Sequence, residues 1–164
     1  MLGALTMATA PVLDSFLSGH RLAFIGVSSS DGCPTRDLFR GLIARGHDVV
    51  PIRPGVVEIE GVKAYPSIQL AGHLDGVIIM TSRRNAERAL EDCQVAGVRR
   101  VWLVGDDTNG DARDYAAHHA IELVVLRDPI AALDHAQGLL RRITGRLRRI
   151  TSVTQRIPIT QVPS

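Results

Sequence analysis

The sequence has few aromatic residues, two cysteines and a single lysine. Aromatic side chains are only 4% of the 164 residues, so Val, Ile, Leu and Ala must fill most of any core. Cys33 and Cys93 match no metal-binding or redox spacing, which predicts free thiols in a cytoplasmic protein. No apolar run is long enough to span a bilayer and the first ten residues lack the basic start of a signal peptide, so we expect no membrane partner.

Charge is nearly balanced over the whole chain but unevenly distributed along it. Nineteen basic and 17 acidic residues give a net charge of +2, too small to indicate nucleic acid as a partner. Residues 127–164 contain seven Arg and two Asp and carry +5, which leaves −3 on residues 1–126. A hydrophobic content of 45% with 22% charged residues excludes a disordered chain and is typical of a globular domain.

Short apolar segments alternate with segments of helical periodicity along the chain. Such runs are typical of parallel strands buried on both faces, and we predict strands near residues 22–27, 48–52, 76–81, 100–105 and 121–126. The predicted fold is a three-layer, Rossmann-like α/β domain with a doubly wound, mainly parallel sheet and a C-terminal helical arm. We divide the chain into a tail with a short helix (1–19), the Rossmann-like domain (20–138), and a basic helical arm with an extended tail (139–164).

The last predicted helix, which starts at Asp128-Pro129, carries an apolar seam with the spacing of a heptad repeat. This seam predicts a homo-oligomer that pairs through the C-terminal helix. The arginines beside it form a solvated face or, as a second interpretation, a site for an acidic partner. The seam residues are Leu133, Ala136, Leu140, Ile143, Leu147 and Ile150.

The loop from Gly26 to Thr35 follows the first strand and precedes a helix, an arrangement that leaves amides free to bind an anion. It lacks the G-x-G-x-x-G pattern of dinucleotide sites and the Gly-Lys-Ser/Thr of a Walker loop. Three consecutive serines still offer amide and hydroxyl donors to a phosphate. The alternative is an ordinary turn between strand and helix.

The basic residue Arg53 lies at the end of the second predicted strand. NAD-binding proteins have an Asp or Glu at this position. Its planar guanidinium suits the phosphorylated ribose of coenzyme A or, as the alternative, NADP. Residues after the third strand reach the same edge of the sheet, although they also fit plain helix capping. The Tyr65 side chain could form an apolar wall beside the base of a ligand, or it could instead pack on the core. The candidate binding residues are Gly26, Val27, Ser28, Ser29, Ser30, Thr35, Arg36, Arg53, Pro54, Tyr65, Thr81, Ser82 and Arg83.

No catalytic residues and no metal ligands emerge from the sequence. Six histidines are scattered, and the adjacent His118 and His119 point in different directions on a helix. Cys33 lies at a helix N-terminus, where the pKa of a thiol can fall, but a small loop residue is the simpler interpretation.

Five stretches in order resemble the small bacterial coenzyme A-binding domain proteins, which are similar to the CoA-binding domain of the succinyl-CoA synthetase alpha subunit. They are the first strand and loop at 23–28, Pro34-Thr35-Arg36, Val49-Val50-Pro51-Ile52-Arg53-Pro54, Gly61-Val62-Lys63-Ala64-Tyr65-Pro66-Ser67 and Val101-Trp102-Leu103.

The resemblance covers residues 20–128 and implies a Rossmann-like domain that binds CoA at its strand ends. The ADP part would lie against residues 26–30 and 53–54, with further contacts near Thr81 and Ser82. Arg53 stands where the family commonly has Asn, and Arg127-Asp128-Pro129 replaces its Asp-Arg-Cys element.

Three functions remain open from the sequence. The first is a non-catalytic CoA or acyl-CoA binding protein, for which a regulatory role is one option. The second is a subunit of an enzyme that uses CoA or NADP, and the third is an oligomeric interaction protein whose nucleotide site is vestigial.

Overall fold

A computed structural model describes residues 13–105, 110–129, 131, 133 and 134. Five parallel strands form one sheet in the order β2-β1-β5-β6-β7, and β3 and β4 form a separate antiparallel hairpin. The strands are β1 (Arg21–Ile25), β2 (Asp48–Ile52), β3 (Glu58–Ile59), β4 (Val62–Lys63), β5 (Gly76–Ile79), β6 (Arg100–Val104) and β7 (Glu122–Leu126). The helices are α1 (Pro34–Ala44), α2 (Arg83–Val95) and α3 (Gly110–His118), with a 3₁₀ turn at Gln69–Ala71.

Both faces of the sheet are covered, which confirms the predicted Rossmann-like α/β class. Successive residues of a strand point to opposite faces. Leu22 and Phe24 of β1 therefore pack in the cluster that includes α1, whereas Ala23 packs in the cluster that includes α2 and α3. After their first residues, which are charged in β1, β2, β6 and β7, the strands of the five-stranded sheet are apolar because both faces of the sheet are covered.

Helix α1 buries one face against the sheet, and residues suited to helix ends lie at its start and after its end. Leu38, Phe39 and Leu42 are the fully buried residues of α1, which has Pro34 at its first position. The chain after α1 turns at Gly46 with a φ of +85°, a backbone that favours glycine. None of the described helices has both the length and the apolar character needed to cross a bilayer.

Some predicted segments differ from the structure, and others fall outside the described residues. The strands begin or end within two residues of the predicted limits, but the β3–β4 hairpin occupies a stretch that the sequence left without regular structure. Residues 13–17 are helical, and Pro129 begins a helical stretch in which the Asp128 Oδ1 accepts a hydrogen bond from the Ala131 amide at 3.0 Å. The tail before residue 13, the seam beyond Leu133 and the arginine-rich arm lie outside the described residues.

The strand order reverses at β1, which pairs with β2 on one side and with β5 on the other. In doubly wound sheets, ligands bind outside the carboxyl ends of the strands at such a switch point. Here the two backbones are in close contact, because the Met80 amide donates to the Ile25 carbonyl at 3.0 Å. Gly26 follows with a φ of +102°, and a Cβ there would lie 2.0 Å from the Met80 carbonyl oxygen.

We expect Gly26→Ala to lower the free energy of unfolding by about 3 kcal/mol or more, because the new methyl group would collide with backbone. Gly32→Ala is the matched control: its φ is also positive, at +73°, but no atom lies within 4 Å of its Cβ position. The control should lose only about 1–2 kcal/mol. Urea denaturation measures both, and equal losses would show that the close approach has no energetic role.

Asp75 joins the amino ends of β1 and β5. Its Oδ2 accepts hydrogen bonds from the His20 and Arg21 amides, each at 2.8 Å, and its own amide donates to the Arg21 carbonyl at 2.8 Å. The hydrogen bond from the Arg21 amide is the main cause that lowers the pKa of Asp75, and His73 adds to it from 3.3 Å. The ionised carboxylate is therefore favoured by the folded state.

We expect Asp75→Asn to be less stable than the wild type at pH 7. An aspartate whose pKa is lowered in the folded state stabilises the fold at pH values above its ordinary pKa of 3.8. This contribution is lost as the pH falls through the lowered pKa. The stability difference should therefore shrink below about pH 4 in thermal unfolding at several pH values. Asp92→Asn, at an exposed position of α2, is the control and should show no such trend. A difference that stays constant down to pH 2 would contradict the assignment.

Candidate functional site

Two side-chain hydroxyls hold the loop after β1 in place. The Ser28 amide donates to Thr35 Oγ1 at 3.0 Å, and the Ser30 amide donates to Ser28 Oγ at 3.0 Å. Thr35 is in the first turn of α1, so the loop is tied to the start of its own helix. Serine and threonine hydroxyls commonly stabilise turns in this way.

Several other amides of the loop have no hydrogen-bond acceptor among the described residues. Within the described ranges, no acceptor takes a hydrogen bond from the amides of Ser29, Asp31 or Gly32. These amides lie next to the N-terminus of α1, where the helix dipole favours negative charge. A run of unpaired donors at a helix N-terminus is suited to an anion such as a phosphate group.

Arg53 lies beside this loop, at the end of β2. Its amide donates to the Tyr65 carbonyl at 2.8 Å, which fixes its backbone, and its Nη1 donates to the Val27 carbonyl at 2.8 Å. A guanidinium has five N–H donors, so the bond to Val27 leaves others for a ligand. The exposed Pro54 begins the turn that follows.

The side chain of Tyr65 is not at this edge of the sheet. The tyrosine packs against the core on the α2 side, and its hydroxyl accepts a hydrogen bond from Arg21 Nη2 at 3.4 Å. Arg21 is the first residue of β1, at the end opposite the loop. The contact that Tyr65 makes with the site is therefore through its backbone, which pairs with Pro51 and Arg53.

Thr81, Ser82 and Arg83 form the other side of the site, after β5. A Cβ on Gly26 would lie 3.4 Å from the Thr81 Cβ, so Thr81 directly adjoins the loop. Ser82 occupies the N-cap position of α2 without a side-chain capping bond. Arg83 is exposed and pairs with Asp111 of α3 and with Glu87 at 3.5 Å.

Arg36 is held by a group of charged residues that the sequence did not predict. Its Nε lies 2.5 Å from Glu60 Oε1, and its Nη1 donates to the Ser29 carbonyl. Arg40 joins the same Glu60 oxygen at 2.8 Å and Asp31 at 2.7 Å. The sequence carries little signal for this hairpin, because Glu-Gly is not a typical dipeptide for a two-residue turn and each strand has only two residues.

The Cys33 thiol lies at the N-cap of α1, 3.4 Å from Thr35 Oγ1. Hydrogen bonds from the Thr35 hydroxyl, the Thr35 amide and the Ser28 hydroxyl lower its pKa, in that order of size. These neighbours stabilise a thiolate but none of them is a base that would take its proton.

A shallow hollow of about 360 Å³ lies at the opposite end of the sheet, before β6 and β7. Helices α2 and α3 both end there, so their dipoles disfavour an anion, although Arg99 also lines the hollow. We therefore place the candidate site by the switch point and the free amides of the loop. The hollow is lined by Gln94, Val98, Arg99, His118, His119, Ala120 and Ile121.

Comparison with known proteins gives the family to which the chain is similar. The model of the CoA binding domain family matches residues 20–130. The alpha subunit of acetate–CoA ligase [ADP-forming] II from Pyrococcus furiosus is 30% identical over 95 residues, which are 57% of this chain and 21% of that subunit. The chain thus spans about a fifth of the length of this curated relative.

Two solved structures share the fold. A hypothetical protein from Pyrococcus horikoshii OT3 is 20% identical with a TM-score of 0.70, covering 77% of this chain and 90% of its own. Acetyl-coenzyme A synthetase 1 of Ca. Korarchaeum cryptofilum, solved with phosphate and ADP, is 20% identical with a TM-score of 0.60, covering 68% and 26%. The family match extends over more than half of the sequence and includes the whole β1–β7 region, so the protein belongs to the CoA binding domain family.

Proposed function

We propose that this protein binds coenzyme A or an acyl-CoA at the carboxyl ends of β1, β2 and β5 and catalyses no reaction of its own. The observation that carries the proposal is the set of amides at Ser29, Asp31 and Gly32, which have no acceptor among the described residues, beside the Arg53 guanidinium. Coenzyme A offers a diphosphate and a ribose phosphate, which such amides and an arginine fork recognise. NADP has the same two features and is the alternative ligand.

The ionisable groups near the loop support a binding role. Arg36 and Arg40 are paired with carboxylates, and Arg83 is paired with Asp111. The Cys33 thiol has hydroxyl and amide neighbours rather than a proton acceptor. These contacts support a binding site, and among the described residues they include no nucleophile that is activated by a base.

A second candidate function is favoured by the ligase match. Since the chain spans 21% of the acetate–CoA ligase alpha subunit, it could be the CoA-binding part of an enzyme whose remaining parts are separate chains. In that case the protein alone should bind CoA, but turnover would need a partner. Pairing of two copies through the C-terminal helix stays a prediction, because most of that segment lies outside the described residues.

Thermal unfolding with CoA, acetyl-CoA, NADP, NAD and ATP tests the proposal. A ligand present at 100 times its Kd should stabilise the fold by about 2.7 kcal/mol. We expect this with CoA and acetyl-CoA, and no formation of acetyl-CoA from acetate, CoA and ATP by the protein alone. Equal or absent responses to all five compounds would instead favour an interaction protein with a vestigial site. Formation of acetyl-CoA would refute the non-catalytic role.

We expect Arg53→Ala to weaken binding of CoA more than binding of 3′-dephospho-CoA. The loss for CoA should be about tenfold or more, since a hydrogen bond to a charged group contributes about 1.5–3 kcal/mol. Isothermal titration with both compounds measures the two Kd values.

Two further variants separate the possible roles of Arg53. Arg53→Lys keeps the charge and a donor for Val27 but removes the planar fork, so it should recover only part of the affinity for CoA. Arg99→Ala, before β6 at the opposite end of the sheet, is the matched control and should bind both compounds normally. Equal losses for CoA and dephospho-CoA in Arg53→Ala would mean that Arg53 acts through the Val27 contact and does not bind the ribose phosphate.

A further inference from the structure

The turn between β3 and β4 contains a residue that does not suit its backbone. Ile59 pairs with Val62, so Glu60 and Gly61 form a two-residue turn, and their φ values are +52° and +75°. Positive φ at both central positions is the mark of a type I′ turn, which prefers Asn, Asp or Gly. Gly61 meets this preference and Glu60 does not. Such strain suggests that the side chain has a role elsewhere.

The Glu60 carboxylate binds two arginines of α1. Its Oε1 lies 2.5 Å from Arg36 Nε and 2.8 Å from Arg40 Nη2. Only 22% of the Glu60 side chain and 18% of the Arg36 side chain are exposed, so water screens their ion pair incompletely. Hydrogen bonds from Arg40 and then Arg36 lower the pKa of Glu60, which keeps the carboxylate charged at neutral pH.

Arg36 connects this carboxylate to the loop after β1. Its Nη1 donates to the Ser29 carbonyl at 2.5 Å, while the Ser30 amide of the same peptide unit donates to Ser28 Oγ at 3.0 Å. The carbonyl and the amide of a trans peptide point in opposite directions. These two hydrogen bonds therefore fix the orientation of the peptide between Ser29 and Ser30.

We infer that Glu60 is a positioning residue for the phosphate site, acting through Arg36 on the Ser29 carbonyl. With this carbonyl bound to Arg36, its oxygen does not repel a bound phosphate, and the free amides on either side of it stay available. The inference rests on the proposed function and adds a residue from a different part of the chain, 24 positions beyond Arg36.

The other charges at this position agree with a positioning role. Asp31 lies 2.7 Å from Arg40 Nη2 and 3.5 Å from Arg36 Nε, and Asp37 lies 4.0 Å from Arg40. Both arginines are thus surrounded by carboxylates, so their charge is largely balanced before a ligand arrives. The contribution of Glu60 is therefore to orient the Arg36 side chain.

The test uses Glu60→Asn, which gives the turn a residue that it prefers but shortens the side chain by one methylene. We expect the melting temperature of the free protein to stay the same or rise, while the Kd for CoA rises about tenfold. Glu60→Gln keeps the length and should recover part of the affinity. Glu58→Asn, at an exposed position of the same hairpin, is the matched control and should bind CoA like the wild type.

A double-mutant cycle with Arg36→Ala tests the route. If Glu60 acts through Arg36, adding Glu60→Asn to Arg36→Ala should cause no further loss of CoA affinity. Additive losses would overturn the inference. So would a gain in affinity for Glu60→Asn, which would show that the carboxylate competes with the ligand for the arginines.

Hydrogen exchange of the ligand-free protein separates this inference from the proposed function. The Ser30 amide should exchange about tenfold faster in Glu60→Asn than in the wild type or Glu58→Asn, because its peptide unit is then held at one end only. Unchanged exchange would refute the role of Glu60 in the loop, even if the wild type binds CoA. A wild type that binds none of the nucleotides refutes the proposed function and the ligand part of this inference, whereas faster exchange in Glu60→Asn would still establish the structural link.

Discussion

The close approach of two backbones at the end of β1 is the constraint on which the site depends. Gly26 passes so near the Met80 carbonyl that no side chain fits between them, and the Ile25–Met80 hydrogen bond holds the two strand ends together. Because β1 also pairs with β2, three strand ends meet at this point. The loop after β1, Arg53 and Thr81 are neighbours for this reason.

The loop achieves its shape with serine and threonine where a dinucleotide site uses several glycines. A glycine-rich loop relies on backbone freedom and close approach to the ligand. Here only Gly26 and Gly32 have positive φ values in the loop, and the hydroxyls of Ser28 and Thr35 hold the rest by binding backbone amides. The loop therefore leaves some of its amides unpaired without the G-x-G-x-x-G motif.

The fold could be predicted from the sequence because burial on both faces leaves a clear record. Runs such as the one at Val101–Val104 are apolar at every position, and only a covered parallel sheet explains many of them in one chain. The same topology predicted that the loop after β1, Arg53 and Thr81 would lie at one edge of the sheet. The match of residues 20–130 to the CoA binding domain family confirms the resemblance seen in five short stretches.

The contacts within the site could not be predicted in this way. Strands β3 and β4 have two residues each, too few to show an alternating pattern, so the hairpin that carries Glu60 was missed. Arg36 was expected at the ligand, yet its partners come from a turn 24 residues away and from the loop itself. Tyr65 was considered as a wall for a base, but the direction of its ring is set by tertiary packing with Arg21. Contacts between residues that are far apart in the sequence leave no local pattern from which they could be predicted.

The near absence of lysine has a practical consequence. Lys63, the chain's single lysine, is exposed on β4, the strand that follows the Glu60-Gly61 turn, with its Nζ 5.1 Å from the centre of the Tyr65 ring. Apart from the α-amino group, an amine-reactive dye would therefore label one position, and that side chain belongs to the hairpin that contacts α1. Lys63 is thus the one side-chain amine to which an optical reporter of motion between the hairpin and the loop can be attached.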